Sequence, residues 1–253
     1  MKLNAKIALI TGGSRGLGRA TALQLADHGA DVILTYRSGK DEAEAVVEEI
    51  RGTGRKAAAL FLDTGISSSF PAFAEAAATA LRETWGRESF DFLLNNAGMD
   101  VRGPLAEMSE EDFDRLFNVH FKGVYFLTQT LLPLLADGGR IVNTSTGLAR
   151  FTLPGYSAYA AMKGAVEVYT RYLAKELGPR GITANTVAPG PAETDFTSAS
   201  LGNPAIRGAI VSQTALGRTA QPDDIAGVSV FLCSDEGRWV NAQRIEASGG
   251  LFI

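Results

Sequence analysis

The sequence predicts an α/β fold, built as a doubly wound parallel sheet with helices on both of its faces. Short apolar runs alternate with helix-length segments along the chain, which is typical of parallel strands buried on both sides. The chain has 253 residues and is 45% hydrophobic with 28 glycines, enough for one sizeable core and many tight turns. We therefore expect a single domain over residues 1–253, without a linker or an internal repeat.

Seven segments have the length and composition of strands, each bounded by turn residues or by a helix-length segment. They are 6–11, 31–36, 57–62, 90–95, 139–145, 181–188 and 243–247. Helices are expected from the turn after the first strand to about Gly29, around 41–51, at about 70–85, and from the segment YSAYAAMKG (156–164) to about Gly178. Ser109 before three acidic residues and Pro222 before two aspartates predict two further helix starts.

Charge and composition narrow the classes of function. The net charge is −4 without a basic stripe or polybasic segment, so neither a nucleic acid nor a membrane surface is an expected partner. Polar residues and a proline interrupt the longest apolar stretch (123–135), and the N-terminal apolar run is too short for a signal-peptide core. Cys233 is the single cysteine, which fits a reducing cytoplasm. The two histidines lie far apart in sequence, so no metal site is expected.

A glycine-rich turn, TGGSRGLG (11–18), stands between the first predicted strand and the first predicted helix. Its spacing is Gly12-x3-Gly16-x-Gly18. Glycines at such a turn let the backbone approach a pyrophosphate, and the helix N-terminus offers free N–H groups to it. The sequence therefore predicts nucleotide binding in a Rossmann-type fold.

Five motifs together resemble the short-chain dehydrogenase/reductase family, and among its members the 3-oxoacyl-carrier-protein reductase-like carbonyl reductases. They are TGGSRGLG, NNAG (95–98), FNVHFKG (117–123), YSAYAAMK (156–163) and VAPGPAET (187–194). They occur in the family's order and span nearly the whole chain. The resemblance implies hydride transfer between a nicotinamide cofactor and a carbonyl or secondary alcohol substrate, and it implies a homotetramer. An apolar C-terminal LFI (251–253) is compatible with packing against a partner.

The second strand ends without the acidic residue that accepts hydrogen bonds from an adenosine ribose and repels a 2′-phosphate. Tyr36 stands where NAD-preferring relatives carry Asp, and Arg37 follows it. Arg15, inside the glycine turn, is a second cation that could reach the same phosphate, and a guanidinium can bind phosphate with two hydrogen bonds. NADP(H) is therefore favoured over NAD(H).

The resemblance also implies a set of cofactor-binding residues. They are Gly12, Ser14, Arg15, Gly16, Leu17, Gly18, Arg37, Ser38, Asp63, Thr64, Asn95, Ala97, Gly98, Tyr159, Lys163, Val187, Pro189, Gly190 and Thr194. Asp63 would contact adenine and Asn95 the adenosine side, although both could instead be ordinary strand-end residues. Val187 and Thr194 would hold the nicotinamide carboxamide. A substrate lid would follow at about 193–213.

Two tyrosines in YSAYAAMKG compete for the role of acid/base. Tyr159 stands four residues before Lys163, and residues four apart share one face of a helix. A free phenol has a pKa of about 10, which we expect the Lys163 ammonium to lower. Tyr156 has the seven-residue spacing of the related enoyl reductases, but the glycine turn resembles that of the carbonyl-reducing branch. We therefore predict Tyr159 as the acid/base and Tyr156 as a wall of the pocket.

Two further catalytic groups are implied by the resemblance. The family places a hydroxyl thirteen residues before its tyrosine, which is Thr146 here, with Ser145 beside it as the alternative. Asn118 would fix a water next to Lys163 and complete a proton relay, although it could be a structural asparagine. His120 is expected to be structural. The alternatives to an NADP-dependent carbonyl reductase are an enoyl-type reductase using Tyr156 and a catalytically silent NADP-binding regulator.

Overall fold

The computed structural model describes residues 2–253, which contain one seven-stranded parallel sheet. The strands are β1 (Ile7–Ile10), β2 (Asp31–Tyr36), β3 (Ala57–Phe61), β4 (Phe90–Asn95), β5 (Leu135–Thr144), β6 (Thr183–Pro189) and β7 (Arg244–Ala247). Their order across the sheet is β3-β2-β1-β4-β5-β6-β7. The winding direction reverses between β1 and β4, and ligands of such sheets bind outside the carboxyl ends of the strands at this point.

Nine α-helices lie in the described part of the chain. They are α1 (Gly16–Asp27), α2 (Lys40–Gly52), α3 (Phe70–Ala80), α4 (Glu110–Phe117), α5 (Gly123–Leu131), α6 (Ser157–Glu176), α7 (Ser198–Leu201), α8 (Pro204–Ser212) and α9 (Pro222–Cys233). A π-helical turn, Leu81–Trp85, continues α3, and a second one, Asn118–Lys122, joins α4 to α5. The segment predicted as a lid contains α7 and α8.

Two hydrophobic cores lie on opposite faces of the sheet, as β1 shows. Ile7 and Leu9 belong to one core, and Ala8 and Ile10 to the other, because successive side chains of a strand point to opposite faces. Helices α1, α2 and α9 contribute to the core around Ile10, and α3, α5 and α6 to the core around Leu9. The predicted doubly wound α/β sheet is thus confirmed.

Both predicted helix starts are present. The Ser109 hydroxyl accepts a hydrogen bond from the backbone N–H of Asp112 at 3.1 Å, which caps α4. Pro222 opens α9, where the Asp224 carboxylate accepts from the backbone N–H of Gln221 at 2.7 Å. Acidic side chains in a first helical turn also interact favourably with the helix dipole.

Over residues 2–253, no helix is both long and apolar enough to cross a bilayer. The same residues contain no group of three or more His, Cys, Asp or Glu side chains that could hold a metal ion.

Candidate active site

The predicted cofactor residues outside α6 lie at the carboxyl ends of five strands or in the segments that follow them. These ends meet at one edge of the sheet because all of the strands are parallel. The segments are 11–18 after β1, 36–38 after β2, 63–64 after β3, 95–98 after β4 and 187–194 at the end of β6. The fold therefore gathers these segments at the carboxyl edge of the sheet, around the point between β1 and β4 where the winding direction reverses.

The glycine turn fits a pyrophosphate. Gly12 and Gly16 have φ values of +66° and +55°, a left-handed conformation that favours glycine. A Cβ atom added to Gly18 would lie 2.1 Å from the carbonyl oxygen of Gly12, so the turn has no room for a side chain there. The Arg15 side chain makes no capping hydrogen bond at the start of α1. The first N–H groups of this helix therefore remain available to an anion.

The loop after β4 supports the glycine turn through Asn96, a residue that the sequence analysis did not select. Its side-chain amide donates to the carbonyl oxygens of Thr11 at 3.0 Å and Gly12 at 3.2 Å. The backbone N–H of Ala97 donates to the Thr11 hydroxyl at 3.0 Å. A motif of two consecutive asparagines was visible in the sequence, but only the structure distinguishes their environments.

The neighbouring Asn95 is buried inside the sheet. Its side-chain amide donates to the Thr128 hydroxyl at 3.0 Å and to the Asn143 side-chain oxygen at 2.8 Å. Asn143 in turn donates to the Thr170 hydroxyl at 2.9 Å. This ladder of buried polar groups links β4, β5, α5 and α6, and it favours the structural alternative for Asn95 over the adenosine contact.

Asp63 and Thr64 form a half-buried turn after β3. The Asp63 carboxylate accepts a hydrogen bond from the backbone N–H of Gly65 at 2.8 Å. A Cβ atom added to Gly123 would lie 2.2 Å from the carbonyl oxygen of Thr64, so this turn packs closely against the start of α5. The turn alternative that the sequence left open for Asp63 is therefore present in the structure.

The two arginines expected at a 2′-phosphate have different surroundings. Arg37 and Ser38 are exposed after β2, and among residues 2–253 Arg37 forms no ion pair. The Arg15 guanidinium lies 3.6 Å from the carboxylate of Asp195, an acid from the predicted lid. Because an anion already faces Arg15, Arg37 is the cation better placed to bind a phosphate.

The strand-end segment 187–194 lies next to the glycine turn. Val187 is buried in β6, and its carbonyl oxygen accepts from the backbone N–H of Ser145 at 2.7 Å. Pro189 ends β6, and a Cβ atom added to Gly190 would lie 2.7 Å from the Cα atom of Ser248. A Cβ atom added to Gly16 would lie 3.4 Å from the Thr194 methyl group. Thr194 therefore faces the turn that would hold the pyrophosphate.

The structure distinguishes the two candidate hydroxyls. The Tyr159 phenol is buried on α6, and Thr146 is the neighbouring hydroxyl that lowers its pKa. Thr146 Oγ1 also accepts from the backbone N–H of Leu148 at 3.3 Å. The Ser145 hydroxyl instead donates to the Glu167 carboxylate at 2.6 Å. Of the two hydroxyls, Thr146 is therefore the one beside the phenol.

Lys163 shares the buried face of α6 with Tyr159. Its ammonium donates to the carbonyl oxygen of Thr144 at 2.7 Å and lies 5.8 Å from the centre of the Tyr159 ring. Burial lowers the pKa of Lys163 to about 8. Burial raises the pKa of Tyr159 above its ordinary value, and the hydrogen bond with Thr146 opposes this only in part. The expectation of a lowered Tyr159 pKa is thus wrong for the protein alone, because loss of hydration raises this pKa more than the Thr146 hydroxyl lowers it.

Asn118 and His120 both lie in the π-helical turn between α4 and α5, and His120 contacts Tyr159. Asn118 is half-buried at the start of the π-helical turn, and its side chain makes no hydrogen bond within residues 2–253. His120 is fully buried, and its ring meets that of Tyr159 edge to face, with centroids 5.0 Å apart and planes at 88°. Burial, and secondly the charge of Lys163, lower the pKa of His120 to about 3.

The resemblance implies no catalytic role for His120, and the sequence therefore predicts a structural histidine there. A π-helical turn contains one more residue per hydrogen-bonded turn than an α-helix, so it changes which side chains face a neighbouring helix. That turn was not foreseen from FNVHFKG.

Tyr156 and the segment predicted as a lid are linked through Arg102. Tyr156 directly precedes α6, and the Arg102 guanidinium lies 5.1 Å from its ring centre. Arg102 also donates to the hydroxyl of Ser200 on α7 at 2.6 Å. The Phe196 ring lies 6.3 Å from that of Tyr159. Arg102 and Phe196, which the sequence analysis did not select, thus connect the loop after β4 and the lid to the tyrosine pair.

Comparison with known proteins gives a family. Residues 12–252 match the family model described as Enoyl-(Acyl carrier protein) reductase. An uncharacterised oxidoreductase of Methylorubrum extorquens is 40% identical over 251 residues, which cover 99% of each chain. A protein of Pestalotiopsis microspora named as a short-chain dehydrogenase/reductase is 38% identical over 261 residues, covering 98% of this chain and 96% of that one.

The fold has equally similar solved structures. An angucycline C-6 ketoreductase with bound NADP superimposes with a TM-score of 0.94 at 38% identity, covering 99% of this chain and 97% of that one. Sequence and structure are therefore similar over the full length of the domain. The chain belongs to the short-chain dehydrogenase/reductase family.

Proposed function

We propose that this protein is an NADPH-dependent carbonyl reductase in which Tyr159 is the acid/base. The observation that carries this proposal is the burial of Tyr159 on α6 beside Lys163, whose ammonium lies 5.8 Å from the phenol ring, with Thr146 next to the phenol. A phenol in this setting can give a proton to a substrate oxygen while a hydroxyl and a cation stabilise the charges that develop.

Two observations support NADP(H) as the cofactor: the residues expected near its adenosine, and the cofactor bound in one similar solved structure. The glycine turn suits a pyrophosphate, and the exposed Arg37 follows β2, whose end carries Tyr36 instead of an acid. The similar angucycline ketoreductase was solved with NADP bound. We assign the pyrophosphate to the N-terminus of α1 and the 2′-phosphate to Arg37.

The residues of this chain would act on the substrate oxygen. Bound NADPH supplies a hydride for the carbonyl carbon. Thr146 orients the carbonyl oxygen through a hydrogen bond, and Tyr159 donates its phenolic proton to that oxygen. The Lys163 cation stabilises the phenolate that remains and can return a proton to it. In the reverse direction the Tyr159 phenolate takes the proton of a secondary alcohol.

The contacts of the two tyrosines favour carbonyl reduction over the enoyl-type alternative. Tyr159 contacts Thr146 and lies near Lys163, whereas Tyr156 lies at the rim under the Arg102 guanidinium. Tyr159 and Tyr156 belong to an apolar cluster that also contains Met99, Val101, Met108 and Leu148. We therefore propose that Tyr156 shapes substrate preference and does not transfer the proton.

A panel of ketones, 3-oxoacyl thioesters, enoyl thioesters and sugars, assayed by NADPH consumption, tests this function. The wild-type protein should reduce at least one carbonyl substrate. Tyr159→Phe should lose about 10²–10⁴-fold in kcat, the usual contribution of general acid catalysis, and still bind NADPH. Tyr156→Phe is the matched control, and it should mainly shift KM.

Three results would oppose this proposal. An active Tyr159→Phe beside an inactive Tyr156→Phe would support the enoyl-type reductase. Reduction of enoyl thioesters alone would do the same. NADPH binding by a wild-type protein that consumes none with any substrate would support the catalytically silent regulator.

We also propose a homotetramer. Helices α5 and α6 present a face of aromatic side chains, where the rings of Tyr125 and Tyr169 lie 4.6 Å apart and Tyr172 is 62% exposed. Apolar faces of this kind are typical of subunit interfaces. Light scattering should give the mass of four chains, and Tyr172→Glu should give a smaller particle. A monomeric wild-type protein would refute this assembly.

We also propose that the protein is located in the cytoplasm. Cys233, the single cysteine of the sequence, is buried, and burial raises the pKa of its thiol to about 12. Such a thiol is poorly reactive, and it has no partner within the chain for a disulfide. Fractionation of the producing cells should recover the protein with cytoplasmic markers; recovery from an oxidising compartment would contradict this.

A further inference from the structure

We propose that His120 is a positioning residue of the reaction centre, whose neutral imidazole orients Tyr159 and presents Nδ1 as a fixed hydrogen-bond acceptor in the Tyr159–Lys163 pocket. This inference rests on the proposed function. His120 itself neither gains nor loses a proton in the reaction: the proton that Tyr159 gives to the substrate is replaced from Lys163. Its Nδ1, which has no partner among residues 2–253, is open to a hydrogen-bond donor that enters this site when substrate and cofactor bind.

The first support is the packing of the ring. His120 has no exposed surface, and its plane is nearly perpendicular to that of Tyr159 at a centroid distance of 5.0 Å. Edge-to-face pairs at this distance are favourable because the positive edge of one ring meets the negative face of the other. The imidazole therefore restricts the orientation of the phenol that we propose as the acid/base.

The second support is the tautomer. His120 Nε2 lies 2.8 Å from the carbonyl oxygen of Met99 and 3.3 Å from the backbone nitrogen of the same residue. The shorter contact requires a proton on Nε2, so we assign the proton to this nitrogen. Nδ1 then carries a lone pair.

The third support is that this lone pair has no partner. His120 Nδ1 is a buried polar atom without a hydrogen bond among residues 2–253. Such atoms are rare in folded proteins because they lose hydration without compensation, and many have a functional explanation. A Cβ atom added to Gly98 would lie 3.0 Å from His120 Cε1 and 3.7 Å from Nδ1. The glycine of NNAG thus leaves this edge of the imidazole uncovered by a side chain.

The fourth support is the charge state. Burial and the nearby Lys163 cation lower the pKa of His120 to about 3, so the imidazole is neutral near pH 7. A neutral acceptor does not repel the Lys163 ammonium, whereas an imidazolium in the same place would oppose it. The position therefore suits an acceptor that keeps one protonation state throughout the reaction.

A matched pair of variants separates the two ring nitrogens. Asparagine places its amide near the position of Nδ1, and glutamine places its amide near the position of Nε2. We expect His120→Asn to keep kcat within about threefold, and His120→Gln to lose about tenfold or more, the scale of one buried hydrogen bond. KM for NADPH should change little in either variant. Both should lower Tm to a similar extent, because each removes the imidazole from the core.

The outcome that would overturn the role of Nδ1 is the opposite ranking, with His120→Gln active and His120→Asn impaired. Equal kcat losses that follow the loss of Tm would also overturn it, since they would show a purely structural histidine. If the wild-type protein reduces no carbonyl in the panel, the proposed function is wrong. The proposed effect of His120 on kcat is then wrong as well.

Nitrogen NMR provides an arm that does not depend on turnover. The sequence has two histidines, so a His28→Gln protein labelled in its imidazole nitrogens reports on His120 alone. We expect a protonated Nε2, an unprotonated Nδ1 and no titration from about pH 5 to about pH 9. A protonated Nδ1, or titration within that range, would refute the proposal whatever the activity of the enzyme.

Discussion

The ammonium nitrogen of Lys163 lies 5.8 Å from the centre of the Tyr159 ring, and both side chains are buried on α6. The two groups respond to this burial in opposite directions. Burial disfavours the charged form of each, so it lowers the pKa of Lys163 to about 8 and raises that of Tyr159 above its ordinary value. Tyr159 therefore holds its proton more tightly, and Lys163 less tightly, than the same side chains in water. These two shifts determine how the reaction and the stability of the protein depend on pH.

Carbonyl reduction should slow as the pH rises above about 8. Tyr159 keeps its proton in this range, since its pKa is raised, but Lys163 loses its own and with it the charge that stabilises the phenolate. The measurement is kcat for reduction against pH at saturating NADPH. Lys163→Ala should have a low kcat without this limb and should bind NADPH more weakly. An unchanged limb in Lys163→Ala would show that another group titrates.

The free energy of unfolding of the protein without cofactor should also depend on the lowered pKa of Lys163. The pKa of Lys163 is lowered from 10.5 to about 8 on folding, so the unfolded chain binds more protons between these values. The destabilisation caused by burying the ammonium is fully present below pH 8 and is relieved as the pH rises toward 10.5. The stability advantage of Lys163→Met over wild type, measured by urea unfolding, should therefore shrink from pH 8 to pH 10. A constant difference would contradict a lowered Lys163 pKa.

Arg37→Ala should weaken NADPH binding by about 1–3 kcal/mol, the scale of a charge-assisted hydrogen bond, and leave NADH binding nearly unchanged. Calorimetric titration with the two cofactors measures this. Arg15→Ala should have a smaller effect on NADPH, because Asp195 already faces the Arg15 guanidinium at 3.6 Å. Equal losses for NADPH and NADH in Arg37→Ala would mean that Arg37 acts through the fold and not through the 2′-phosphate.

Thr146→Ala should reduce kcat about tenfold to a hundredfold with little change in cofactor affinity, because it removes the hydroxyl paired with Tyr159. Ser145→Ala is the adjacent control. It should have a mild effect, since the Ser145 hydroxyl contacts Glu167 and not the phenol. Steady-state kinetics of both variants give the ranking, and the reverse order would transfer the substrate contact to Ser145.

Features that depend on neighbouring residues could be predicted from the sequence. Strands 31–36 and 90–95 have the predicted bounds, and Ser109 caps its helix as expected. These features depend only on residues a few positions apart in the sequence. They are the apolar pattern of a strand, the hydrogen-bond acceptor of a capping residue and the glycines of a tight turn. The four-residue spacing of Tyr159 and Lys163 belongs to the same class, because one helical turn brings the two side chains together.

Pairing between strands explains why the predicted start of β5 was wrong. The strand was expected from 139, but it begins at Leu135, which pairs with Phe90 ahead of a register shift between Phe90 and Phe92. The segment Ala136–Gly139 has weak strand propensity, and pairing with β4 includes it in the sheet.

The identity of the groups around the phenol depends on residues distant in sequence. Ser145 and Thr146 are adjacent hydroxyls, and only the packing of α6 pairs one with Tyr159 and the other with Glu167. Asn118 and His120 lie in one π-helical turn that the local sequence does not indicate. The sequence by itself thus determined the sheet, the glycine turn and the Tyr159–Lys163 pair. The tertiary structure decided the protonation of that pair and its neighbours, because burial and contacts across the fold set the hydration of each group.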